Sequence, residues 1–154
     1  MLDQNYMILQ DSILRFEEIL AENAAYFPTI DAAVLEAKIP GKWSKKEILG
    51  HLVDSAVHNL VRFTEIHYVE KPYRHRPYNQ MDLVNLNQYQ TMDIQDLTQL
   101  WLAINKQIVR LMKSVDINTL DYKIILSDES VIDLRFLMTD YVDHLEHHIR
   151  KIKN

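Results

Sequence analysis

Apolar side chains recur at steps of three and four along three stretches of the chain, a pattern that predicts amphipathic helices. In the first stretch, residues 3–25, the apolar positions are Tyr6, Leu9, Ile13, Phe16 and Leu20. Asp3 stands where it can cap this helix. A further helix follows Asp93, with Leu97, Trp101, Ile104, Ile108 and Leu111 on one face. The last helix is predicted over about residues 133–152.

A capping box marks the start of the second predicted helix. Ser44 and Glu47 are three residues apart, so each side chain can accept a hydrogen bond from the backbone of the other. Trp43 and Ile48 occupy the positions of a hydrophobic staple. The helix is expected to run to about Tyr68.

Two long connections join the predicted helices. Residues 71–92 contain Pro72 and Pro77 but enough apolar mass to pack as an ordered excursion. Residues 121–133 hold two short β-prone runs around a polar turn, which favours a hairpin before the last helix. Four amphipathic helices with two long connections predict an all-α fold, a four-helix bundle forming one domain over residues 1–154.

Composition narrows the possible partners and chemistry. Two Gly and four Pro in 154 residues favour helices over a many-stranded sheet. A net charge of -5 disfavours nucleic acid as a partner. The chain has no Cys, so metal ligands must be His, Asp or Glu, and any thiol must come from outside. No apolar run reaches the roughly 18 residues of a membrane span, and the amino terminus does not resemble a signal peptide, so we expect a cytoplasmic location and no membrane partner.

Two histidines of the last helix have the spacing of metal ligands. On a helical wheel, His144 and His148 lie in the buried stripe, one turn apart at i and i+4, where two imidazoles can reach one ion. Burying two unpaired imidazoles is costly, which argues against an ordinary core role. His147 points to the rim or solvent and is left out of the predicted site.

The second helix carries a polar lane beside its apolar face. The lane consists of His51, Ser55, His58 and Arg62. It can line a cavity between helices, with Ser55, His58 and Arg62 contacting a substrate and Arg62 binding an anionic group. It can equally be an ordinary boundary face, in which His51 is a packed histidine. His58 lies roughly 10 Å along the helix from His51, too far to share an ion.

Several motifs, taken in order, resemble the DinB superfamily, in particular its YfiT-like branch. The motifs are Trp43-Ser44, His51-Leu52, Asp54-Ser55, Arg62-Phe63, Glu70-Lys71-Pro72, Pro77-Tyr78 and the segment from Tyr141 to His148. The resemblance covers about residues 40–152. Where the branch often has Trp after the Pro-Tyr segment, this chain has Met81-Asp82-Leu83-Val84.

The resemblance implies a four-helix bundle in which His51, His144 and His148 bind a divalent metal, commonly zinc or nickel, often in a homodimer. Its members include metal-dependent hydrolases and transferases that use bacillithiol, mycothiol or glutathione. We therefore expect an enzyme that activates a low-molecular-weight thiol or a water for attack on a small molecule. The alternative is a non-catalytic metal-binding bundle that acts as an interaction module.

Large apolar residues in the excursion also suggest association. Tyr73, Tyr78, Met81 and Tyr89 are expected to form exposed apolar surface, which often marks an interface. Together with the resemblance, this predicts a two-fold homodimer.

Overall fold

A computed structural model describes residues 4–154, in which four long helices form the frame. The long helices are α1 (Gln4–Tyr26), α3 (Lys45–Glu65), α5 (Ile94–Ser114) and α6 (Leu134–Lys153). Two short helices are α2 (Ala32–Glu36) and α4 (Gln80–Leu86). The predicted cap Asp3 lies outside the described residues. All four predicted helices are present, and the second ends a little earlier than expected, at Glu65.

The long helices form a four-helix bundle. Helices α1 and α3 each pack against both α5 and α6, which places α1 and α3 at opposite corners. The core is continuous, and its largest fully buried side chains include Trp101, Phe16, Phe27 and Phe63. The apolar faces predicted from periodicity therefore meet in the centre of the bundle. No helix in the part of the chain from residue 4 onward has the length and apolar character needed to span a membrane.

The capping box at the start of α3 is present as predicted. The Ser44 hydroxyl accepts a hydrogen bond from the Glu47 amide at 3.1 Å, and the Glu47 carboxylate accepts one from the Ser44 amide at 2.8 Å. Lys38 also donates to this carboxylate, which holds the pKa of Glu47 below its usual value despite partial burial. These contacts fix where α3 begins and therefore the register of the polar lane that follows.

A small sheet lies beside the bundle. Its strands are β1 (Tyr73–Arg74), β2 (Lys123–Ile125) and β3 (Val131–Asp133). The antiparallel pair β2–β3 is the predicted hairpin. The parallel pair β1–β2 was not predicted; it joins the excursion to the hairpin through Tyr73 opposite Ile124.

Burial of the excursion contradicts the expected exposed apolar surface. Tyr73 and Tyr89 are only 6% and 5% exposed, because both pack inside the same chain. Tyr89 lies directly over Gly50 of α3, where an added Cβ would stand 2.2 Å from the ring. Its hydroxyl donates to Asp54 at 2.6 Å, which ties the excursion to α3. Met81 remains 56% exposed.

Candidate metal centre

The candidate centre is formed by facing turns of α3 and α6. His51 follows Gly50 on the face of α3 that packs against α6, and it is completely buried. His144 and His148 lie one turn apart on α6 and are half-buried. His147 is exposed, as the helical wheel predicted.

The three imidazoles converge on one point. Each of His51, His144 and His148 offers a ring nitrogen, and these three atoms lie within 4.8 Å of one another. The Nε2 atoms of His144 and His148 are 3.1 Å apart. Two nitrogens bound at 2.0–2.1 Å to one ion would be roughly 2.9–3.4 Å apart for bond angles between octahedral and tetrahedral. The observed separation therefore fits a shared ion.

Burial keeps these imidazoles neutral. Desolvation, with repulsion from His144, lowers the pKa of His51 to about 4. Desolvation, followed by repulsion from the other two imidazoles, lowers the pKa of His148 to about 3, and the pKa of His144 is lowered by burial as well. A neutral imidazole has a free lone pair, which is the form that binds a metal.

The hydrogen bonding of the cluster is incomplete without a further group. Within residues 4–154, both ring nitrogens of His51 and Nδ1 of His148 are buried with no hydrogen-bond partner. Buried polar atoms without partners are uncommon because they are costly. An ion bound by three imidazoles would satisfy three of the ring nitrogens, so the donor set fits a divalent metal.

Trp43 forms one wall of the centre. Its ring lies 4.9 Å from the ring of His51, tilted by 30°. From the sequence, Trp43 was expected only to form a hydrophobic staple with Ile48. Its contact with the His51 ring depends on how the connection from α2 enters α3, which the sequence does not show. Trp43 and Ile48 do line one common cavity.

A cavity opens from the centre on the His144 side, which we call the Arg62 cavity. It has a volume of about 220 Å³, and residues lining it include Ser55, Asn59, Arg62, His75, Asp140 and His144. The polar lane predicted on the second helix thus faces a cavity at two of its positions, Ser55 and Arg62. Both side chains are otherwise buried, with 2% and 6% exposed.

His58 occupies a different place from the one predicted for it. Its ring stacks on Tyr78 at 4.1 Å, and its Nδ1 lies 2.8 Å from the Asp54 carbonyl oxygen. Tyr78 lines the Arg62 cavity and His58 does not. Tyr78, from the excursion, therefore contacts this cavity where His58 was expected to, and contact of His58 with a substrate stays a prediction.

A second cavity, the Trp43 cavity, reaches the centre on the His148 side. It has a volume of about 330 Å³ and is lined by Gly41, Lys42, Trp43, Ile48, Met81, His148 and Lys151. The two cavities thus reach the cluster at different histidines, His144 and His148. The first has a lining of mixed polarity, and the second is mostly apolar with Lys42 and Lys151 in its lining.

Sequence reasoning missed two residues of the Arg62 cavity. One is His75, which lines the cavity and whose buried Nδ1 has no partner within the described chain. Asp140 lies one turn before His144 on α6, a spacing that could have identified it. Asp143 and Glu146, the other carboxylates near these histidines on α6, instead contact Arg15 of α1.

Comparison with known proteins agrees with this architecture. The chain resembles YfiT from Bacillus subtilis, a probable metal-dependent hydrolase with an unusual four-helix bundle topology, with a TM-score of 0.81 and 22% identity over 94% of this chain and 83% of YfiT. It also resembles the mycothiol-dependent maleylpyruvate isomerase, with a TM-score of 0.65 and 11% identity over 92% of this chain, but spans only 59% of that protein. At these identities the likeness shows the fold alone.

No curated protein sequence matches the chain significantly. The sequence profile of the DinB superfamily, however, matches residues 15–152. This range covers most of the chain and includes all three histidines. The chain therefore belongs to the DinB superfamily.

Proposed function

We propose that the protein is a metal-dependent enzyme in which His51, His144 and His148 hold one divalent ion. The observation that carries the proposal is the convergence of three imidazole ring nitrogens within 4.8 Å of one another. Imidazole ligands suit zinc and nickel, which we propose as the metal. An ion held by three neutral ligands keeps its positive charge and an open position, where a thiol or a water loses its proton more easily.

The chain's own residues would bind and orient the electrophilic substrate. Ser55 and Arg62 line the cavity that reaches His144. Tyr78 forms another part of its wall, and the ring of His58 stacks on Tyr78 from behind. Asp140 is the carboxylate among the residues lining this cavity. It is exposed, so it can exchange a proton with solvent and with a substrate group near His144.

The two cavities favour group transfer over hydrolysis. Hydrolysis needs space for one organic substrate, whereas transfer of a low-molecular-weight thiol to an electrophile needs space for two. The Arg62 cavity and the Trp43 cavity provide two separate approaches, through His144 and His148. Because the chain has no Cys, the thiol would be a co-substrate.

The alternative is a non-catalytic metal-binding bundle. The two functions differ in whether an added thiol or anion can bind the metal. Elemental analysis of the native protein should give about one ion per chain. Titration of the cobalt-substituted protein with glutathione or bacillithiol should then change its visible spectrum, because a thiolate enters the open position. A spectrum that no thiol or anion alters would indicate a closed, structural site.

We also propose a homodimer, although not through the surface first expected. With Tyr73 and Tyr89 buried in their own chain, that argument no longer supports an interface. Met81, Leu86 and Tyr68 are the strongly exposed apolar residues in and near the excursion, at 56%, 77% and 71%.

A further inference from the structure

Arg62 is a buried cation that lacks the usual anionic partner. Only 6% of the residue is exposed, and Nη2 donates to the carbonyl oxygen of Arg76 at 2.6 Å. Its guanidinium carbon lies 5.4 Å from the centre of the Tyr78 ring. No carboxylate of residues 4–154 forms an ion pair with it. Burial of a charge without a counterion is strongly unfavourable, so such a group is uncommon unless a ligand completes it.

The cavity beside Arg62 extends to the candidate metal centre. Arg62 of α3 and His144 of α6 line the same cavity, as do Ser55 and Asn59, which precede Arg62 on α3. Asp140 also lines this cavity but is exposed and does not pair with Arg62, so it leaves the positive charge uncompensated. His75, whose Nδ1 is buried without a partner in the described chain, adds a second polar group near Arg62.

We infer that the Arg62 cavity binds the anionic end of an elongated small molecule whose other end reacts beside His144. This inference rests on the proposed function and names the substrate class: an organic compound with a terminal carboxylate or phosphate. The planar fork of a guanidinium matches either group with two parallel hydrogen bonds.

Helix geometry sets the length of this compound. Arg62 follows His51 by eleven residues on α3, roughly 16 Å along the axis at 1.5 Å per residue. Both side chains lean towards the helix amino terminus, but arginine is the longer, so its guanidinium lies nearer by a few ångströms, on the order of 13 Å from the metal-binding nitrogens. A chain of several carbon atoms between anion and reacting group would span this gap, with Ser55 and Asn59 beside its middle.

Calorimetry with simple diacids tests the inference. The probes are succinate, glutarate, adipate and pimelate, with pimelamide as the neutral match and a phosphonate analogue, 6-phosphonohexanoate, for the phosphate arm. The proteins are the wild type and the variants Arg62→Met, Arg62→Lys and Arg74→Met. Methionine keeps a long apolar side chain at position 62, and Arg74→Met is the control because it removes an exposed arginine. Each is measured with zinc and after removal of zinc by a chelator, and each is checked by thermal melting and for zinc content.

The inference predicts that the diacids bind and the diamide does not, and that Arg62→Met weakens diacid binding about tenfold or more while zinc content is unchanged. Arg62→Lys should recover part of the affinity, and Arg74→Met should have none of these effects. With zinc, affinity should rise with chain length to an optimum, because one end reaches the ion and the other Arg62. Comparison of the affinities for pimelate and 6-phosphonohexanoate shows whether the site prefers a carboxylate or a phosphonate.

Equal binding of diacid and diamide, or diacid binding that Arg62→Met leaves intact, would overturn the inference; so would diacids that do not bind a zinc-loaded wild type. Failure of the proposed metal function looks different. The protein would then bind no stoichiometric ion, yet binding of diacids would still depend on Arg62 without the length optimum, and the anion site would stand alone.

Discussion

Replacing His51 with leucine should stabilise the metal-free protein and abolish its response to metal. His51 is completely buried, and neither ring nitrogen has a hydrogen-bond partner within residues 4–154. A buried unsatisfied polar atom costs about 1–3 kcal/mol. Leucine has a similar volume and carries no polar atoms, but it loses the stacking on Trp43, worth about 0.5–1.5 kcal/mol. At mid-range the two nitrogens together cost about 4 kcal/mol and the lost ring contact about 1 kcal/mol, so the unfolding free energy should rise by about 3 kcal/mol.

The metal should reverse the order of stability. A gain of about 3 kcal/mol corresponds to a melting temperature about 6–12 °C higher for a domain of this size. Wild type at a free metal concentration 1,000 times the Kd gains about 4 kcal/mol, whereas the variant, with a ligand missing, gains far less. Wild type should therefore melt below His51→Leu in chelator and above it in excess zinc.

Thermal melting of both proteins in chelator and in zinc is the assay. His58→Leu is the matched control, because the His58 ring nitrogen already lies 2.8 Å from a backbone carbonyl oxygen. This control should not gain stability in chelator and should respond to zinc as the wild type does. If His51→Leu is less stable than wild type in chelator, the ring nitrogens of His51 are satisfied in solution, and the case for a site built for an ion is refuted.

Four further predictions follow from the same contacts. Alanine at any one of the three proposed ligands should abolish tight metal binding, whereas His147→Ala should not; elemental analysis decides, and a reversed result would mean that the register of α6 is wrong. The stability of the metal-free protein should fall as pH drops from about 6.5 towards 4. Histidine in the unfolded chain protonates near 6.5, whereas burial lowers the pKa of His51 to about 4, so the unfolded state binds more protons between these values. Denaturant titrations at pH 7, 6 and 5 that give equal free energies of unfolding would contradict this. Gly50→Ala should lower the unfolding free energy by about 1–3 kcal/mol, because its Cβ would stand 2.2 Å from the Tyr89 ring; urea unfolding that is unchanged would mean that the excursion packs elsewhere. Sedimentation at micromolar concentration should give twice the 18.3 kDa chain mass, and a monomer across that range would exclude the proposed dimer.

The sequence by itself determined the features that depend on local spacing. The four helices follow from apolar residues at steps of three and four, and the start of α3 follows from Ser44 and Glu47, whose reciprocal hydrogen bonds join residues three apart. The pairing of His144 with His148 follows from one turn of a helix. Such contacts are set by backbone geometry within a few residues, so they can be predicted without knowing how the helices pack.

Only the tertiary structure decided what lies around the histidines. The stacking of Trp43 on His51 and the place of His75 in the Arg62 cavity depend on where connections cross the bundle. The parallel pairing of Tyr73 with Ile124 joins residues far apart in the chain, and no local pattern encodes it. The same holds for Tyr89, predicted to be exposed but buried against Gly50. Apolar character shows that a side chain favours burial, but which surface buries it is determined by long-range packing.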